Sequence, residues 1–260
     1  MTRDRAALSA SAEARHDGRL RLLSLLLLLA LWQLVAWLAD STLLPSPIAV
    51  ALRLYQETVH GDLPFHLALT LLRVAASFIV AMSIGTAIGI GMGRSRRADQ
   101  LFDLWLVIGL NLPALAVMFL CYVWLGLGEP AAVLAVALNK IPMVAITMRE
   151  GARAIDAELL QVADVLRLGW RRRLGQVLLP QLYPYAMASA RNGLSLIWKL
   201  VLVVELVGRS NGVGFQLGVY FQYFDIAGVL AYTAAFVAVV MGIEMLLVRP
   251  LEQRLTRWRP

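Results

Sequence analysis

The sequence predicts an all-α membrane protein: six transmembrane helices and one polar helix-turn-helix loop between the fourth and fifth. Three observations carry that reading. Of the 260 residues 60% are apolar, with a mean hydropathy of +0.70, whereas soluble domains carry roughly 45–50%. The apolar residues are gathered into runs of about 20, the length that crosses a bilayer. The basic residues cluster between the runs, as they do in loops retained on the cytoplasmic side of a membrane.

Residues 1–19 are polar and hold Arg3, Arg5, Arg15 and Arg19, which reads as a cytoplasmic tail. The first span is placed at about 20–39. A cleaved signal peptide is the rival reading, but its apolar region is usually ~7–15 residues with a small-residue cleavage site after it. The run here is longer and WLADST does not resemble such a site. Ser46 followed by Pro47 marks a helix start, a capping side chain and then a proline whose missing N–H costs nothing, so a surface helix is expected from Ile48 to Val59. His60, Asp62 and His66 lie close together; a solvated loop is favoured over a metal site.

The second span is placed at 66–92. In it Gly85, Gly89 and Gly93 recur every four residues, leaving one face bare for close helix packing. Arg94, Arg96 and Arg97 follow. A third span, 104–126, is interrupted by Asn111-Leu112-Pro113, which implies a local kink. A fourth, 131–148, contains Asn139, Lys140 and Pro142. A fifth, 184–207, contains Arg191, Asn192 and Lys199. The stretch from Gly208 to Asp225 is rich in glycine and aromatics and predicts a short re-entrant or surface helix. The sixth span is placed at 226–248, and residues 249–260 form a second basic tail. With both tails inside, the arginine-rich loops all fall on one side.

The interruption at 149–180 is the informative stretch. Leu159, Val162, Ala163 and Leu166 stand at i, i+3, i+4 and i+7, one apolar stripe on a short helix. Glu158, Gln161 and Asp164 take the opposite face. One face of this helix is expected to pack on the membrane body and the other to meet a partner. After Gly169, Leu174, Val177 and Leu178 mark a second helix, which Pro180 is expected to end.

Composition also excludes. A net charge of +7 set beside apolar spans reports orientation rather than nucleic-acid binding. Cys121 is the single cysteine, so no internal disulfide forms. The two lysines, Lys140 and Lys199, do not follow a glycine, so no GxxxxGK[ST] phosphate loop exists. HExxH, CxxC and GxSxG are absent; no catalytic residue, metal ligand or cofactor site is assigned. If ATP is used, another chain binds it.

The 149–180 loop resembles the EAA loop of permease subunits of bacterial ATP-binding-cassette importers, whose pattern is Glu-Ala-Ala, three residues, Gly, nine residues, Ile-x-Leu-Pro. Aligned on Leu179-Pro180, Gln161-Val162-Ala163 falls at Glu-Ala-Ala, Arg167 at the glycine and Val177 at the isoleucine. Two signature residues therefore differ, and Gly169 follows two positions later. LPSPIAVALRLY, the run from His66 to Val74, VWLGLGEP, VVELVGRSNGVGFQL and RLTRWR look like the nitrate, sulfonate and taurine branch of that family.

The resemblance implies the following. The chain is a permease of the bacterial inner membrane and not an enzyme, working by alternating access. It pairs with a second permease, either a copy of itself (a homodimer), which is the expectation, or a different chain, and receives solute from a periplasmic or surface-anchored binding protein. Cytoplasmic ATPases dock on Leu159, Gln161, Val162, Ala163, Asp164, Leu166, Arg167, Leu168, Gly169, Leu179 and Pro180. Intramembrane polar residues usually face a bundle interior or a water-filled path, and Asn111, Asn139, Lys140, Asn192 and Lys199 are the candidates. Since the span cations outnumber Glu244, the cargo is expected to be a small anion. Arg73 and Arg191 are alternatively pairing partners for Asp103 or Glu205. An ATP-independent secondary transporter or channel, and a membrane-anchored scaffold, are the other readings.

Overall fold

A computed structural model describes residue 20 and residues 23–41 and 43–250; the tail 1–19, residues 251–260 and with them the RLTRWR motif lie outside the described residues. All regular structure among those residues is helical. Helix α1 spans Leu23–Ala39. Helix α2, Pro47–Val59, starts as its sequence requires: Ser46 Oγ accepts from the Ala49 amide at 3.2 Å. Helix α3, Leu63–Arg94, begins three residues before the expected boundary because Pro64 fits its first turn. Ser95 then leaves the helical region and caps the next helix, accepting from Ala98 N at 3.3 Å.

The expected third span is two helices, α4 at Arg96–Asn111 and α5 at Ala114–Leu125, and they meet at 101°. This is far more than a local kink. Leu112 and Pro113 are both extended, since a residue before proline is driven out of the helical region. Helix α6, Glu129–Arg153, runs five residues past the expected end of the fourth span, so Arg149–Arg153 belongs to it and not to the loop. Helix α7 is Ala157–Val165, and α8 is Trp170–Arg173.

Pro180 does not end the second loop helix. From Trp170 the backbone continues through a π turn at Leu174–Leu178 directly into α9, Leu179–Gly208, with Pro180 in the first turn of α9. The π turn widens the helix where the proline ring would otherwise meet a carbonyl, and Gln181 Nε2 donates to Val177 O at 3.0 Å there. Helix α10, Val213–Gln222, is the short helix expected after Gly208. Helix α11, Ile226–Ile243, ends in a second π turn at Glu244–Val248.

Among the described residues three helices are long and apolar enough to cross a membrane, α3, α6 and α11 with its extension to Leu246, and the bent α4–α5 pair makes a fourth. Of the six expected crossings, three or four are thus recognised on length and composition among the described residues. Helix α1 is short, and α9, though 30 residues long, carries Arg191, Lys199 and Glu205.

The most extensive packing is α3 on α6, followed by α6 on α9. Glycine sets the first: a Cβ at Gly85 would lie 2.6 Å from Val144 Cβ, one at Gly93 2.6 Å from Ala152 Cβ, and one at Gly89 would overlap the Ala145 carbonyl. The backbones can therefore approach to near contact. The main core joins Val74, Met118, Val136, Ile197, Trp198 and Tyr232 from α3, α5, α6, α9 and α11, with Cys121 buried at its edge. Helix α1 leaves all its leucines exposed.

Candidate functional site

The loop between α6 and α9 is built from caps. Asp156 Oδ1 accepts from Glu158 N at 2.7 Å and starts α7, while the Asp156 amide donates to Gln181 Oε1 at 2.8 Å and ties that start to α9. At the other end the Leu168 amide donates to Ala163 O and the Arg167 amide to Asp164 O, both at 3.0 Å. That is the paired bond pattern of a Schellman C-cap, which needs a left-handed residue at its centre. The residue there is Arg167, with φ +46°. Gly169 has an ordinary φ of −58° and open space around it. The left-handed turn thus falls at the position where the family pattern has glycine. Asp164 pairs with Arg173 at 2.5 Å across the hairpin.

Of the apolar stripe, one residue is buried and the rest stand exposed. Ala163 is 1% exposed and Leu160 and Leu168 are half-buried, whereas Leu159, Val162 and Leu166 are exposed and Val165 is 82% exposed. Gln161, Asp164, Arg167, Gly169 and Leu179 are also exposed, and Pro180 is half-buried. Rotation about α7 turns its small residue inward, because only alanine lets so short a helix seat closely, and leaves the bulky apolar residues uncovered.

Next to this hairpin, the ends of α4 and α6 are joined by charge. Arg149 Nη1 contacts Asp103 Oδ1 at 2.5 Å and Asp99 Oδ1 at 3.3 Å, and Arg153 Nη2 contacts Asp99 Oδ2 at 2.5 Å. Asp103 therefore belongs to Arg149. Arg191 faces Glu244 at 3.8 Å.

At the opposite end of α3, α6 and α9 lies a second network that sequence reasoning reached only as an alternative for Arg73. Its guanidinium holds Glu129 through Nε at 2.8 Å and Nη2 at 2.6 Å, and Glu205 through Nη1 at 2.7 Å. Nη1 also donates to Asn211 O at 2.9 Å, and Nη2 to the Asn211 side chain. Glu205, fully buried, accepts further from Thr70 Oγ1 and from Gly214 N, each at 2.9 Å. Thr70 Oγ1 in turn accepts from Val213 N at 2.9 Å. Arg209 closes the cluster on Glu129 at 2.6 Å. His66 is not in a solvated loop: it is buried, its Nδ1 accepting from Gly212 N at 2.9 Å. The signal available in sequence was opposite charge in two spans, but a bond between residues 132 apart has no local spacing to betray it.

The proposed path residues are placed as follows. Asn111 stands at the α4–α5 bend, its Nδ2 donating to Val107 O at 2.8 Å, and Asn139 Nδ2 donates to Ala135 O at 2.9 Å. Asn192 and Lys199, two turns apart on α9, are exposed with Ser195 between them. Lys140 is 1% exposed, in the interface of α6 with α9. Asn192 and Lys199 thus share a face, Lys140 lies behind it, and Asn111 stands apart on another helix pair. No group of three or more potential metal ligands occurs among the described residues.

Comparison with known proteins matches residues 81–257 to the family of binding-protein-dependent transport system inner membrane components. A Bacillus subtilis (strain 168) protein named as an aliphatic sulfonates transport permease, SsuC, is 32% identical over 259 residues, covering 96% of this chain and 94% of that protein. The taurine transport system permease protein TauC of Escherichia coli (strain K12) is 28% identical over 90% of this chain and 88% of its own. The nitrate import permease protein NrtB of Synechocystis is 26% identical over 72% of this chain and 71% of its own.

Proposed function

Because this chain belongs to the family of binding-protein-dependent transport system inner membrane components, we propose that it is the membrane-spanning subunit of an ATP-driven importer of a small anionic solute. Its body, residues 20–248, forms the path with a second copy of the chain. The α7 hairpin seats in cytoplasmic ATPase subunits, and a solute-binding protein delivers cargo to the Glu205 end. The basic hairpin and both tails then face the cytoplasm, as the positive-inside rule requires. ATP hydrolysis belongs to the separate subunits, and the path opens alternately to each side as they close and part.

One observation carries the reading. A capped nine-residue helix stands between two membrane helices, held by Ala163 beneath and by Gln181 behind, and presents Leu159, Val162, Val165 and Leu166 uncovered. An exposed apolar face on an otherwise polar loop marks a docking surface. The anionic cargo is supported by Asn192 and Lys199 on the open face of α9, by the lack of an acidic residue beside them on that face, and by relatives named for sulfonate, taurine and nitrate.

The test is Val165→Asp, which leaves the core untouched. In vesicles holding the chain with its ATPase, this variant is expected to lose ATPase association and ATP-driven uptake together. Retained association overturns the docking role. Uptake by the wild type on an ion gradient without any ATPase overturns the importer reading in favour of a secondary transporter.

A further inference from the structure

Between α6 and α9 the membrane body contains two polar groups that find no satisfactory partner. Lys140 sits near the middle of α6, about 16 Å from one end of that helix and about 20 Å from the other at 1.5 Å per residue. Its side chain cannot snorkel that far to an aqueous surface. Its ammonium makes one polar contact, to the thioether of Met143 at 2.9 Å, a weak acceptor. Among the described residues no carboxylate lies within ion-pair distance of it. On the facing helix, Ser189 is buried and its Oγ is without a hydrogen-bond partner. Four residues on, and so on the same face of α9, Gly193 meets the lysine stem: a Cβ there would lie 3.1 Å from Lys140 Cε and 4.0 Å from Nζ.

A structural lysine at such depth is expected to have a carboxylate, as Arg73 has Glu205. An unpaired buried charge costs several kcal/mol, and intramembrane ionisable groups that persist without partners mark ligand paths. The chemistry present is a cation and a hydroxyl, each without a strong acceptor, which is the complement of an oxyanion. Access is also provided. Met143, whose sulfur covers the ammonium, is 38% exposed and stands one turn from Asn139 on α6; Asn192 is the open neighbour of Gly193 on α9. A methionine has three rotatable bonds and little shape preference. Rotation of one side chain therefore uncovers the ammonium toward the Asn139 and Asn192 face.

We propose that Lys140 and Ser189, with Gly193 giving the lysine stem its room, form a binding site for a compact oxyanion head group, with Met143 as its lid. The site deepens the importer reading, on which its transport role rests: it places the anion-reading cation at Lys140 behind the open α9 face, rather than at exposed Lys199 alone.

The experiment uses the whole importer in vesicles, with ethanesulfonate and nitrate as probes, and a thermal melt of each variant. Lys140→Met removes the charge at nearly constant volume. The expected result is a melting temperature equal to or above the wild type, because an unpaired charge has gone, and uptake reduced about 10- to 100-fold, the worth of one charge-assisted hydrogen bond. Lys140→Arg keeps most uptake. Unchanged uptake in Lys140→Met overturns the proposal, and so does a parallel loss of melting temperature and uptake, the mark of a structural lysine.

A second arm does not depend on transport. With Cys121→Ala removing the single native thiol, Lys140→Cys is treated with an anionic methanethiosulfonate reagent. Labelling is expected to be slow with Met143 present and at least tenfold faster with Met143→Ala; equal labelling with and without Met143 overturns the lid. If the wild-type complex takes up neither probe with ATP, it is the anion-importer reading that fails, and this arm still decides whether Met143 is a lid over position 140.

Discussion

Replacing Arg167 by glycine tightens the turn between α7 and α8. Arg167 holds φ +46° at the centre of the Schellman cap, a conformation that costs an L-residue about 1–2 kcal/mol. Glycine removes that cost but brings extra freedom in the unfolded chain, about 0.5–1 kcal/mol. The net gain is about 0.5–1 kcal/mol in the free energy of opening the hairpin, which slows amide exchange about 2- to 5-fold. The assay is hydrogen–deuterium exchange of residues 157–169, where the Arg167 and Leu168 amides close the turn. Arg167→Ala is the control: it removes the guanidinium but keeps the Cβ, so it exchanges as the wild type does. Faster exchange in Arg167→Gly, or equal slowing in both variants, refutes the backbone argument.

Two further outcomes follow from the geometry. Glu205→Ala leaves buried Arg73 with Glu129 as its one carboxylate among the described residues and is expected to lower stability by about 3–5 kcal/mol, whereas Arg73→Leu combined with Glu205→Leu recovers much of that loss; thermal melts in nanodiscs check both. Gly89→Ala forces a Cβ into the Ala145 carbonyl and is expected to cost about 1–3 kcal/mol, while Gly91→Ala, which meets nothing within 4 Å, leaves the melt unchanged or raises it by up to about 1 kcal/mol.

Local chemistry made parts of the fold legible before any coordinates. The Ser46-Pro47 start of α2 is read from a capping side chain and a proline that act within one turn. The glycine spacing at 85, 89 and 93 announces a bare helix face, although not that α6 would be the helix laid on it. The α7 hairpin was legible as two short helices and a turn, because capping and periodicity are local. Its rotation was not: the stripe of Leu159, Val162, Ala163 and Leu166 can bury any one of its members, and spacing alone does not select Ala163. Pro180 misled for a similar reason. The rule that proline ends a helix presumes α-helical bonding before it, and the π turn at Leu174–Leu178 removes that presumption. The charge clusters at both ends of the bundle, Arg73 with Glu205 and Arg149 with Asp99 and Asp103, join residues from 46 to 132 positions apart. No spacing rule reaches so far.

The helix that absorbs Pro180 is unbroken from Trp170 to Gly208, a rod of roughly 58 Å at 1.5 Å per residue. Its far end is clamped by Glu205 to α3 and α10, and its near end carries the turn that holds α7. A rod fixed at one end amplifies: swinging it by roughly 5° carries Trp170 sideways by about 5 Å, close to one helical pitch. The π turn lies between fulcrum and load, only a few residues from the load, so it can bend without disturbing the clamp. Stiffening that turn, and not changing any contact at either end, would alter how far a displacement at the proposed docking hairpin carries along α9.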